Sequence, residues 1–239
     1  MSGLKLSVLM GVLSLGVFTG LTGCDSSSST RRGLPGVATD GVSGEKVELP
    51  FEDLYASPDP EHLTLAIKYV EYVDAAGNPV LTLDEAKRLT EAMNRLYSVC
   101  NMHFRAEVYE TVQPGNFGLD YNTSQRSDLT SIRAQFDSPD HLLVVHTGSW
   151  SSAQMGSANA WTTLPGSTPS GAVVEADVAG MGNLVAHELG HYLNLLHVSS
   201  STNMMNPVIY SNSTYISPSQ CSEMRATARA YRSGALRAS

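Results

Sequence analysis

His187 and His191 stand four residues apart with Glu188 beside the first, and this short pattern constrains the chain more than anything else in its 239 residues. On a helix that spacing puts both imidazoles on one face, where they can chelate one metal ion. Glu188 then lies beside the first ligand, placed to take the proton of a metal-bound water. With 7 histidines in the chain, the pattern arises by chance roughly 1% of the time, and a third histidine at His197 lowers that to roughly 0.03%. Six residues separate His191 from His197, which is not a whole number of turns, so a continuous helix would carry the third ring off the shared face. The helix must end near Asn194, and the chain must turn back there. Such a turn needs a residue tolerant of positive φ; glycine serves best and asparagine next.

Upstream, strand and helix patterns alternate. Leu63, Leu65, Ile67 and Tyr69 alternate with Thr64, Ala66 and Lys68, which predicts a half-buried strand. Asp74 to Pro79 is turn chemistry. Thr82 to Glu85 forms a capping box, and Ala86, Leu89, Met93, Leu96 and Cys100 follow at steps of three and four, the stripe of a helix packed on a sheet. Phe104, Ala106 and Val108 mark a second strand, and Gln113 to Ser124 reads as a loop. Leu129, Ile132 and Phe136 predict a short helix, and His141 to His146, apolar on both faces, a central strand. Ala158 to Thr163 and Gly171 to Val178 are weaker strand candidates around the turn at Pro165 and Gly166. Ser217-Pro218 starts a last helix, striped by Cys221, Met224, Ala228 and Tyr231.

With its third histidine, the motif resembles that of the metzincin metalloproteases, H-E-x-x-H-x-x-G-x-x-H with a downstream methionine turn. His187, Glu188, His191 and His197 match it residue by residue, and Asn194 stands where glycine is usual. Thr202 to Pro207 resembles the methionine turn, with Met205 as its methionine; read alone, Met204 and Met205 would be ordinary core filling. The resemblance implies an α+β domain: a twisted mixed β-sheet with backing helices, an active-site helix, the methionine turn and a C-terminal helix. It implies one catalytic zinc ion held by His187, His191 and His197, with Glu188 activating zinc-bound water. Val198 after the third histidine fits none of the large subfamilies, and Pro207 stands where some carry a tyrosine ligand, so no subfamily is assigned. No cysteine lies between Cys24 and Cys100, which leaves a cysteine-switch latency without support.

The N-terminus reads as an export address. Lys5 is the one charge before an apolar run to Phe18, and Leu21-Thr-Gly-Cys24 resembles a bacterial lipobox in which Cys24 receives lipid. An ordinary signal peptide with a chance cysteine is the alternative. Residues 1–23 are therefore expected to be a leader, 24–59 a lipidated cysteine and Ser/Gly-rich tether, and 60–239 the catalytic domain. This places the protein outside the cytoplasm, held at a membrane through its N-terminal lipid. Cys100 and Cys221 then remain; export permits one disulfide, and two separate buried thiols stay open. A net charge of −8 with no basic cluster beyond Arg31-Arg32 excludes a nucleic-acid face.

His62, His103, His141 and His146 lack ligand spacing and are assigned structural or surface roles. Asp137, Asp140 and Asp177 form no calcium-loop pattern, and Ser149 to Ser152 lack a nucleophile-elbow motif. Trp161 belongs either to an edge strand that binds extended peptide or to the core. The expected function is a zinc-dependent peptidase acting on proteins or peptides as a monomer. The alternative is a binding lipoprotein that kept the fold and lost catalysis.

Overall fold

A computed structural model of the chain describes residues 21–26, 46–49 and 59–237. The leader up to residue 20 and most of the expected tether lie outside the described residues. The elements run β1 (Leu21–Ser26), β2 (Lys46–Glu48), β3 (Leu63–Tyr72), α1 (Leu83–Tyr97), β4 (Met102–Val112), α2 (Arg126–Phe136), β5 (Leu142–Thr147), α3 (Ser152–Met155), β6 (Ala158–Thr163), β7 (Ala172–Glu175), α4 (Gly182–Tyr192), β8 (Val208–Ile209), α5 (Pro218–Tyr231) and β9 (Leu236–Arg237). Among them no helix is long and apolar enough to cross a membrane.

The strands form one mixed sheet in the order β2-β4-β3-β5-β7-β6-β1-β8, with β9 paired to β3. β4, β3, β5 and β7 are parallel, whereas β6 runs antiparallel to β7. Parallel strands are buried on both faces, and this is where the sequence expectation needs correcting. Alternation in β3 predicted a half-buried strand, yet all but Lys68 of its residues are buried. One face packs Leu65, Ile67, Tyr69, Leu142, Val144 and Val174 under α1, α4 and α5. The other packs Val70, Tyr72, Val145 and Val173 under α2, whose Leu129, Ile132 and Phe136 close that layer.

Local chemistry sets the element ends. Thr82 and Glu85 make the capping box that opens α1, and Ser217 and Gln220 make another at α5, where Pro218 occupies the first turn. α1 ends at Tyr97, and the stripe position Cys100 falls in a short 3₁₀ turn that leads into β4. The weak strand expected to Val178 stops at Glu175 and continues as a 3₁₀ turn. The sheet also starts before residue 60, because β2 adds antiparallel to β4 from within the segment expected to be a tether. α1 and α4 approach closely: a Cβ on Gly182 would lie 2.7 Å from that of Ala92, and Tyr97 Oη donates to the Ala186 carbonyl at 2.8 Å.

Candidate metal centre

α4 carries the first two histidines through the core. Every residue from Leu184 to Tyr192 is buried, so this helix is apolar nearly all round and its polar members must find partners inside. It stops where the histidine spacing requires. Asn194 takes φ 74°, Leu195 N–H donates to the Gly190 carbonyl at 2.9 Å, and Asn194 N–H donates to the His191 carbonyl at 3.0 Å. This is a Schellman cap with asparagine in the left-handed position usually given to glycine. The reversal brings His197 back over the helix.

The three rings converge. His197 Nε2 lies 3.3 Å from His187 Nε2 and 3.1 Å from His191 Nε2. Tetrahedral zinc with bonds near 2.0–2.1 Å sets nitrogens about 3.4 Å apart, so this donor set fits such an ion. Each helical ring also has its other nitrogen fixed. His187 Nδ1 donates to the Met204 carbonyl at 2.6 Å, and His191 Nδ1 to the Leu195 carbonyl at 2.7 Å. A proton held on Nδ1 leaves Nε2 with a lone pair directed at the shared point. Burial pulls the imidazoles down, His187 well below its usual range and His191 to about 4, so both are neutral at neutral pH as ligands must be. Among the described residues, this trio is the group of histidine, cysteine or acidic side chains close enough to share a metal.

The segment after His197 closes the site from below. Val198 N–H donates to the Met205 carbonyl at 2.9 Å, and Asn203 Oδ1 accepts from Met205 N–H at 2.8 Å. Met204 and Met205 are fully buried. A Cβ on Gly190 would meet Met205 Sδ at 2.5 Å, so any side chain there would push the methionine from its place against the helix. Asn203 and Gln220 exchange amide hydrogen bonds at 2.9 and 3.0 Å, fastening this turn to the start of α5.

Glu188 is completely buried and accepts from Thr162 Oγ1 of β6 at 2.5 Å. Behind β6 lies Arg133 of α2, 1% exposed. Its guanidinium donates to the carbonyls of Trp161 at 2.6 Å and Gly171 at 2.8 Å. Burial pulls the Arg133 guanidinium down to about 10, against the pull of the Glu188 charge, and it stays cationic at neutral pH. β1 lies in the sheet between β6 and β8, antiparallel to β6 with Thr22 opposite Thr162, and parallel to β8 with Asp25 opposite Val208.

Other singled-out residues lie elsewhere. Cys100 and Cys221 form a disulfide with Cα atoms 5.0 Å apart, which settles the choice the sequence left open. Cys24 falls within β1. Trp161 is 4% exposed, and the Arg126 guanidinium stacks 4.4 Å from its ring centre, so its side chain belongs to the core layer under α2. His146 pairs with the buried Glu71 at 2.6 Å, His141 with Glu107 at 3.2 Å, and His62 with His103. Thr162, Arg133 and the Met204 and Leu195 carbonyls are neighbours of the site that the histidine motif does not announce. For Arg133 a trace exists, since it sits four residues after Leu129 on the apolar face of α2.

Residues 66–225 match the family model described as Matrixin. Among solved structures, metalloproteinase-II from Bacteroides fragilis aligns with 14% identity and a TM-score of 0.49, over 75% of this chain and 58% of that one. A chaperone–substrate complex aligns with 11% identity and a TM-score of 0.48, over 73% of this chain and 35% of that one. The chain thus spans less than two thirds of either. No curated protein matches it.

Proposed function

The chain belongs to the matrixin family of the metzincin clan, and on that premise we propose that it is a zinc-dependent peptidase hydrolysing peptide bonds of proteins or peptides. The observation that carries this reading is the convergence of three imidazole nitrogens, two of them on the helix that bears Glu188 and oriented by backbone carbonyls, the third returned over it by the turn at Asn194. His187, His191 and His197 would hold the zinc and leave a position open, the arrangement of catalytic sites. When bound, the ion supplies Lewis acidity toward a carbonyl oxygen and makes water more acidic. Glu188 takes the proton from the attacking water and passes it to the leaving amine. Its location beside His187 on the helix makes it a poor ligand and a well-placed base.

An extended peptide as substrate is supported by the slot between β6 and β8, which the chain's own residues Leu21–Ser26 enter as a strand. We further propose that the chain is exported, cut before Cys24 and held at a membrane through lipid on that cysteine. Such processing removes Leu21 to Gly23 and clears the slot opposite Thr162 and Trp161.

The test is to measure zinc content and cleavage of a generic unfolded protein on the same purified sample. About one zinc per chain, with cleavage that stops on chelation and returns with zinc, is the expected result. Zinc without cleavage of any unfolded protein would make this a binding protein on a peptidase fold. Failure to take up zinc would overturn the reading of the three histidines as well.

A further inference from the structure

We propose that Thr162 is a positioning residue for Glu188, and that it acts from the strand along which a peptide would lie. The inference rests on the peptidase reading and adds a component to it. Thr162 Oγ1 donates to Glu188 Oε2 at 2.5 Å, and both residues are fully buried. That separation is the length of a charge-assisted hydroxyl–carboxylate bond. A carboxylate held at one oxygen keeps its plane, and its acceptor capacity for a proton stays aimed in one direction.

The strand is anchored on both sides of this residue. Arg133 holds the Trp161 carbonyl at 2.6 Å, and Thr163 Oγ1 accepts from Gly171 N–H at 3.2 Å. Thr162 itself pairs with Ala172 of β7. Because β-branched side chains are stiff at χ1, an anchored backbone fixes where the hydroxyl points. On its other edge the backbone of Thr162 faces Thr22 of β1. One residue thus meets an added strand through its main chain and the base through its side chain. Binding of the peptide and alignment of the base share a single support.

Thr162→Val keeps the shape and the branch and deletes the hydroxyl; Thr162→Ser restores the hydroxyl on a smaller side chain. Both are made in the exported protein as processed before Cys24, loaded with zinc, and assayed on one fluorogenic peptide that the parent cleaves. For Thr162→Val we expect kcat to fall about ten- to a hundredfold, the scale of a hydrogen bond to a charged group. KM should stay within about twofold and zinc content should not change. Thr162→Ser should recover kcat to within about threefold of the parent. A merely structural role would move KM or zinc content and would not be rescued by serine. Parental kcat in Thr162→Val overturns the proposal, and so does a fall that serine fails to reverse. A crystal structure of the parent provides a separate arm: Oγ1 and Oε2 within hydrogen-bond distance support the proposal, and a separation beyond 3.5 Å overturns it. If the parent cleaves nothing, the peptidase reading fails while this distance still decides the role of Thr162.

Discussion

The corner that holds the three histidines and the seam that ties the chain's end to its first long strand are built by opposite means. In the corner the decisive partners are close in sequence. His191 binds a carbonyl four residues on, His187 one seventeen residues on, and the cap between them is backbone to backbone. Along the seam the partners are remote. Cys100 and Cys221 are 121 residues apart, and Arg225 donates to the Cys100 and Asn101 carbonyls at 3.1 and 2.9 Å. Arg237 reaches Glu107 at 2.8 Å, and β9 pairs with β3. The corner orients a few rings, whereas the seam closes a long loop. Changes in the corner should therefore alter chemistry and spare the fold, and changes in the seam should do the reverse.

The hardest blow to the corner is His191→Ala. It removes one of three ligands, so zinc measured by elemental analysis should fall from about one per chain to nearly none, with activity lost along with it. Glu188→Gln separates metal from chemistry at the same corner. It preserves shape and the acceptor for Thr162 but cannot take a proton, and kcat/KM should drop about 10²–10⁴-fold with zinc content unchanged. Full activity in this variant would show that Glu188 is not the base.

The seam is probed by Cys100→Ser with Cys221→Ser. Opening so long a loop should lower unfolding free energy by about 2–5 kcal/mol in denaturant titrations, while zinc content and kcat of the folded protein stay at parental values. Loss of activity without loss of stability would erase the contrast between the two regions. A smaller effect is expected at Glu107. Burial raises its carboxyl, but hydrogen bonds and charge from Arg237 and then Arg105 outweigh that and hold it below its usual 4.5. A group depressed in the folded state stabilises above its unfolded pKa and loses that contribution as pH falls through the folded one. Stability should thus decline on acidification below about pH 4.5, and Glu107→Gln should flatten that decline at a cost of about 1 kcal/mol at neutral pH.

The same contrast explains how much of the fold and of the site is legible in the sequence. The histidine motif, the turn at Asn194, the capping box of α1, the Ser217-Pro218 start of α5 and most strands are local patterns, and each appears where its pattern placed it. Thr162 and Arg133 are different. Nothing near Thr162 in sequence announces Glu188, which lies 26 residues on and reaches it only through sheet order. Glu71 and His146 are 75 residues apart and meet because β3 and β5 are neighbours, a pairing that periodicity does not encode. The half-buried reading of β3 failed for a related reason. Thr64 and Ala66 look solvent-facing in a pattern that carries no sign of the cover the second face receives, where Val70 and Tyr72 further along the strand pack with the residues of α2.

The gentlest test is at the turn itself. Asn194 has φ 74°, where a side chain with a Cβ is disfavoured by about 1 kcal/mol and asparagine by somewhat less. Asn194→Gly removes that penalty, but two effects act against it. It deletes the exposed hydrogen bond from Asn194 Nδ2 to Glu223 Oε1 of α5, and it gives the unfolded chain more freedom. These nearly cancel, so denaturation should change by no more than about 0.5 kcal/mol, with zinc retained. Asn194→Ala has no such compensation: it keeps the Cβ and loses the amide, so it should destabilise by about 1 kcal/mol. It should also weaken zinc binding, because the Leu195 carbonyl that orients His191 depends on this cap. Equal stability and equal zinc affinity for the two variants would mean that the left-handed turn is not what holds the corner together.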